Sequence, residues 1–437
     1  MYDLLIEDAT IVSASGRQVA DIAIEDGVIA YVGSRPAGRS KEKLSAIGKF
    51  VMPGVIDTSV YLSWAPSDLP DHWTQETRAA VAGGVTTVIE LGDRGTPTTT
   101  PARLNARRKV ARKASRANFG FWGMASQAGA DTAQRLLEAG AVALQVDMGA
   151  FNGPLALDDG LLEDLFVRTT GVLGVQAADP SLLKAAAQTA SNHEKPADTD
   201  VFPGEAGAAA VLRLVDLVKA HQRQIHLIQI STAAELHPLD PIRGDLPISV
   251  ETSPHHLFLS CETSAELLPV LKNRPPIRPE LDRRSLWTAT RRRRIDSIAS
   301  GHTGVIRDDK LRPYWEATPG LPGTELMLSL IRTAVHHGRL GLERMVELLS
   351  ESPARLLGVV GKGRIEKGYD ADLVLFSEGR LAPLSERTLL SRARWTPYGN
   401  KELAPPPELV FVGGRVAARN GAIADDDVRG REIRTRR

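Results

Sequence analysis

Apolar and polar positions divide the chain into two strand-like ends and a long alternating middle. Residues 4–6, 10–12, 19–24 and 28–32 form short apolar runs broken by SASG, EDG and GSRPAG. Runs of that length, with turn residues every several positions, predict a small β meander. Residues 372–376 (DLVLF), 408–412 (ELVFV) and 414–418 repeat the pattern near the other end, with turns at GYDA and VGG. Two β-rich ends flanking one middle predict a composite β-sandwich domain made from residues 1–53 and 360–437.

Between residues 54 and 359, short apolar runs alternate with Ala-, Leu- and Arg-rich helical stretches. The strand-like runs are 55–56, 86–91, 141–146, 172–177, 225–230, 248–251 and 297–300. The helical stretches are 73–82, 102–114, 131–139, 206–221, 285–294 and 325–336. Repeated strand–helix units imply a parallel sheet. About seven units in some 300 residues predict a closed (β/α)8 TIM-like barrel rather than an open sheet. Residues 184–201 and 307–324 are expected to be long barrel loops. Such barrels carry their sites at the C-terminal ends of the strands, so the residues just after each run matter most.

Composition narrows the classes. The 437 residues are 42% hydrophobic and 24% charged, which excludes a disordered or collagen-like chain. Lys and Arg number 54 against 53 Asp and Glu, a net charge of +1, so no strong field points to nucleic acid or a membrane surface. The single cysteine, Cys261, excludes an internal disulfide framework and a Cys-based zinc site. MYDLLIEDATIV lacks the basic start of a signal peptide, and no apolar run reaches bilayer length. A cytoplasmic protein is expected.

Six motifs occur in order: VMPGVID (51–57), RAAVAGGVTTVIELGD (78–93), ETSPHHLFLS (251–260), PPIR (275–278), SESPARLLG (350–358) and GRIEKGYDADLVLF (363–376). Together they resemble the amidohydrolase superfamily, in its cyclic-amidase branch of dihydroorotase, allantoinase and hydantoinase. The resemblance runs nearly end to end. It implies a (β/α)8 barrel with a β-sandwich made from both termini, the layout the apolar pattern predicts. It also implies one or two zinc ions, which lower the pKa of a bound water and polarise the amide carbonyl. The family's ligands are a His-x-His pair after the first barrel strand, a carboxylated Lys, two further His and an Asp that is also the general base.

At the matching positions this chain has other residues. The His-x-His pair falls on Ser59 and Tyr61, and an Arg that would hold a substrate carboxylate falls on Ser63. The bridging Lys position is Gln145, the next His is Gln176, and the His before STAAEL is Gln229. The general-base Asp position is Gly301, beside a retained His302, and a substrate-holding Asn appears as Asp93. Zinc prefers imidazole, thiolate or carboxylate. The resemblance therefore implies a fold whose metal site and catalytic base are gone, and no cofactor is expected.

Other residues have bland alternatives. His255 and His256 match the family's PHHL and either line the pocket or sit buried in hydrogen bonds. Asp147, two residues after Gln145, is a candidate lone carboxylate, though one carboxylate holds a metal poorly. Arg291–Arg294 close a helix, where cations suit the dipole, although they could also meet an anion. By resemblance Arg274 and Arg278 would face the pocket. Cys261 lacks a base partner, and no Gly-x-Ser-x-Gly elbow occurs.

Three functions follow. The first is a dihydroorotase-like pseudoenzyme with a structural or scaffolding role, acting as a homo-oligomer or beside a partner. By resemblance that partner could be an aspartate transcarbamoylase, since inactive dihydroorotase homologues can serve it structurally. The second is an active hydrolase of a cyclic amide with an atypical site. The third is a protein that binds a polar small molecule without turnover.

Overall fold

In the computed structural model, the described residues are 1–62, 70–92, 96–150, 152–194, 196–242, 244–262, 270–399 and 401–436. Five strands open the chain: β1 (Tyr2–Ser13), β2 (Gly16–Glu25), β3 (Val28–Gly33), β4 (Ser40–Ser45) and β5 (Phe50–Pro53). The barrel strands follow: β6 (Val55–Tyr61), β7 (Val85–Glu90), β8 (Asn118–Met124), β9 (Ala143–Asp147), β10 (Leu173–Gln176), β11 (Ile225–Leu227), β12 (Ile248–Thr252), β13 (Ser297–Ile298) and β14 (His302–Thr303). The last are β15 (Leu373–Phe376), β16 (Ala382–Pro383), β17 (Glu402–Leu403), β18 (Leu409–Val412), β19 (Arg415–Arg419) and β20 (Ala422–Ile423).

The two β-rich ends join in one largely antiparallel sheet of order β20-β19-β18-β15-β5-β1-β2-β3, with β4 beside β1. The join is β5 against β15, where Met52 faces Val374 and Val51 faces Leu375. Ile6, Ile11, Ile22, Leu373 and Phe411 pack one face of this sheet into a core of its own.

The second sheet has the order β13-β12-β11-β10-β9-β8-β7-β6-β14, and all its pairings are parallel. Its two end strands are halves of one run from Ser297 to Thr303, broken at Gly301 with φ 62°. β13 pairs with β12 and β14 with β6, so this broken eighth strand closes the barrel. Every residue of β6, β7 and β8 is buried, as expected of parallel strands with a packed lumen on one side and helices on the other.

The helices form where the pattern predicts, within a few residues. Thr100 and Asp179 cap Pro101–Ala114 and Pro180–Ala190 through Oγ1 and Oδ1, each accepting from the first turn. Several elements go beyond the pattern, among them β4 and the helices Leu342–Val346 and Ser352–Leu356. β8 lies in NFGFWGM, where alternating glycines disguise a strand. Those glycines are required by close approach: a Cβ on Gly120 would lie 2.7 Å from Val142, and one on Gly123 would lie 3.0 Å from Leu136. The helix Asp159–Arg168, capped by Asp158, is also additional. Residues 184–190, expected as loop, continue the helix Pro180–Ala190.

Residues 384–403 leave the sheet and pack on the barrel. Leu389, Trp395, Tyr398 and Leu403 share a core with Leu259, Leu271, Leu321 and Leu326. Among the described residues, no helix is long and apolar enough to cross a membrane.

Candidate functional site

The strand ends bring most of the singled-out positions to one end of the barrel. Ser59 and Tyr61 close β6, Gln145 lies in β9, and Gln176 ends β10. Gln229 follows β11 by two residues, and Gly301 and His302 lie at the broken eighth strand. His255 sits in the short helix Pro254–Phe258 after β12. Ser63 and Asp93 lie outside the described residues.

A buried carboxylate organises the lumen beneath β6. Glu251 of β12 accepts from Ser59 Oγ at 2.6 Å and from Thr58 Oγ1. Its Oε2 also lies 3.3 Å from His226 Nε2, whose Nδ1 meets Ser249 Oγ at 2.8 Å. Glu251, Ser59 and His226 are all essentially inaccessible to water. Both Glu251 oxygens are thus committed, and the hydroxyl at the first family His position serves this network.

An indole packs among the barrel strands. Trp122 of β8 donates from Nε1 past β7 to the Thr58 carbonyl in β6 at 2.8 Å. On the far side its ring presses on β10, where a Cβ on Gly174 would lie 2.4 Å away. Tyr61 joins the apolar cluster of Ile56, Ile89, Leu91, Trp122 and Ile228.

Gln145 is fully buried and oriented by one bond: Oε1 accepts from Gly92 N–H at 2.8 Å. That orients the amide, and among the described residues its Nε2 has no hydrogen-bond partner. An orphaned buried donor is costly, and it is the kind of group a ligand carbonyl or an ordered water satisfies.

Gln229 and Gly301 are complementary. Gln229 is buried with φ 55°, and its amide occupies the space a side chain at 301 would need. A Cβ at Gly301 would lie 2.7 Å from Gln229 Nε2 and 3.8 Å from His255 Cδ2. A side chain at 301 would compete with the present position of the Gln229 amide.

The histidines are held by the scaffold. His256 meets Ser253 Oγ through Nδ1 at 2.9 Å and the Pro276 carbonyl through Nε2 at 3.1 Å. Burial and the Arg278 cation push it down to about 4. His255 Nδ1 bonds the Tyr398 hydroxyl at 2.7 Å, while Nε2 makes no hydrogen bond of good geometry. Burial, then His256 and His302, push His255 down to about 3. His302 Nδ1 accepts from Gly323 N–H at 3.1 Å, so its proton sits on Nε2, 3.2 Å from the buried Glu76 carboxylate. Burial opposes ionisation of Glu76, but His302, Ser391 and Arg392 N–H outweigh it and hold the acid below its usual range. Glu325 accepts from Leu390 and Ser391 N–H, and burial raises it to about 7.

The arginines expected at the pocket are also occupied. Arg274 pairs with Asp198, which also accepts from Tyr314 at 2.7 Å. Arg278 donates to Ser231 Oγ at 3.1 Å and to the Phe202 carbonyl at 2.7 Å. Within Arg291–Arg294, Arg293 and Arg294 pair with Glu347 and Asp240. Asp147 is partly exposed and takes Gly149 N–H at 2.9 Å. The Cys261 thiol is pushed up by burial and Glu262, the reverse of activation.

The residues present do not fit a zinc ion. Among the described residues no group of three or more His, Cys, Asp or Glu side chains is placed to hold a metal. Two buried carboxylates of the barrel already serve the protein: Asp57 takes Ser300 N–H at 2.9 Å and Thr324 Oγ1 at 2.8 Å, and Glu251 takes Ser59, Thr58 and His226. The spacing of residues missed Glu251, His226, Trp122 and Glu76. Their signal, four bulky or ionisable side chains in runs that must be buried, was available but carried no partner assignment.

No family model matches the chain. Whole-chain relatives are nevertheless clear. A dihydroorotase of Halobacterium salinarum is 30% identical over 415 residues, covering 93% of this chain and 94% of the relative. An allantoinase of Rubrobacter xylanophilus is 28% identical over 450 residues, covering 100% and 98%. The solved L-hydantoinase of Arthrobacter aurescens superposes with a TM-score of 0.92 at 25% identity, covering all of both chains. Strand order, barrel closure, the joined sheet and these full-length similarities have one explanation: the chain belongs to the cyclic amidohydrolase family of dihydroorotases, allantoinases and hydantoinases within the amidohydrolase superfamily.

Proposed function

We propose that this family member does not run the zinc-dependent hydrolysis its resemblance implies, and that its barrel end binds a polar molecule or supports assembly. One observation carries the reading: the positions matching the family's ligands hold hydroxyls, carboxamides and a glycine, and two of them, Ser59 and Gln229, are engaged with the protein. Ser59 is committed to Glu251, and Gln229 fills the space a side chain at 301 would take. Weak neutral donors do not replace imidazole and carboxylate around zinc. Without a metal or a positioned base, nothing lowers the pKa of an attacking water. The unpartnered Gln145 amide favours a carbonyl-bearing ligand at this end. A homo-oligomer, or a complex with a partner enzyme such as an aspartate transcarbamoylase, is the assembly this reading includes.

A second reading has support of its own. The relatives carry the names of working enzymes along their whole length, which favours an active cyclic-amide hydrolase with an atypical site. Assays with dihydroorotate, hydantoin and allantoin, with and without added zinc, separate the two. The first reading expects no turnover above buffer in any of them. Zinc-dependent opening of any ring establishes the second.

A further inference from the structure

A groove of about 680 Å³ lies between the helix Glu280–Arg291, the C-terminal end of the helix Met327–His336 and the β16–β17 hairpin. It shares no residue with the barrel positions described above. Its walls carry four cations, Arg283, Arg284, Arg339 and Lys401, against two acids, Glu280 and Glu402. Glu280 is already spent on two of them, meeting Arg283 Nε at 2.6 Å and Arg284 Nε at 2.8 Å. Among the described residues no carboxylate or carbonyl partners the Lys401 ammonium or the Arg339 guanidinium, which lies 5.8 Å over the Trp287 ring. Lys401 is half-buried, and burial with Arg283 and Arg339 disfavours its charged form. Arg339 is exposed and Arg283 is paired with Glu280, so an entering anion would relieve the repulsion left on half-buried Lys401. Phe258, Leu381 and Leu403 supply an apolar wall beside this charge.

We propose that this groove binds a small organic anion of at least two negative charges, held by Lys401 and Arg339, with its apolar body against Phe258 and Leu403. Guanidinium and ammonium groups lining one groove suit phosphate esters and dicarboxylates alike. Phenyl phosphate and phthalate therefore serve as probes, with benzyl alcohol as the neutral control, in calorimetric titrations of the full chain at low ionic strength. The expected result is saturable binding of one dianion per chain that weakens with added salt. The tighter of the two dianions identifies the source of charge. Lys401→Met and Arg339→Met each weaken binding by roughly tenfold or more. Lys401→Met removes a repelled cation, so its melting temperature stays level or rises, which separates lost binding from lost folding. Absence of binding by both dianions, affinity unchanged in both variants, or equal binding of benzyl alcohol overturns the proposal.

Discussion

The Glu251 carboxylate takes three donors inside the barrel, and removing it leaves Ser59, Thr58 and His226 without an acceptor. Stranding buried polar groups in this way costs several kcal/mol. Glu251→Ala is expected to lower unfolding free energy by about 3–5 kcal/mol in urea titrations. A change under about 1 kcal/mol would mean the network is solvated. Two buried groups give opposite pH dependence. His255 falls from an ordinary 6.5 to about 3, so the unfolded chain binds more protons between those values and stability is lost as pH falls through that window. Glu325 rises from 4.5 to about 7, so the folded chain binds more protons and stability falls as pH rises from about 4.5 to about 7. Glu325→Gln should remove the second slope and leave the first, as read by urea midpoints at pH 4, 5.5 and 7. At this scale the sequence revealed where Ser59, Gln145 and Gln229 stand, because each lies in a recognisable flank. It could not reveal that His226 meets Glu251, since that contact joins neighbouring strands 25 residues apart.

Trp122 explains how the barrel strands fit one another. Its indole reaches from β8 to the Thr58 carbonyl in β6 and rests on Gly174 in β10. A methyl group at 174 would lie 2.4 Å from the ring, so Gly174→Ala overpacks the lumen. The expected loss is about 1–3 kcal/mol, measured by chemical denaturation. Gly174→Ala with Trp122→Phe should recover part of that loss, and failure to recover would locate the strain elsewhere. Most strands and helices were legible from apolar spacing. β8 was not, because its glycines answer to Val142 and Leu136 across the packing rather than to local propensity. The packing of residues 384–403 on the barrel was equally hidden: Trp395 and Tyr398 find Val305 and His255 only in the folded chain.

For the whole molecule, architecture and site point in different directions. The barrel, the sheet joining both chain ends and the full-length relatives place it among cyclic amidohydrolases. In the reading proposed here, the positions matching the family's zinc ligands hold hydroxyls, amides and a glycine, with Ser59 on Glu251 and Gln229 against Gly301. The fold was readable because periodicity and motif order survive substitution. The replacement chemistry was readable residue by residue, but its mutual fit, Gln229 against Gly301 and Ser59 against Glu251, needed the structure. The direct test of this account is the metal content of the purified, unchelated protein by inductively coupled plasma mass spectrometry, beside an active relative. Zinc far below one per chain is expected, while the relative carries its full complement. One or two zinc ions per chain would contradict it and restore metal-dependent hydrolysis as the function.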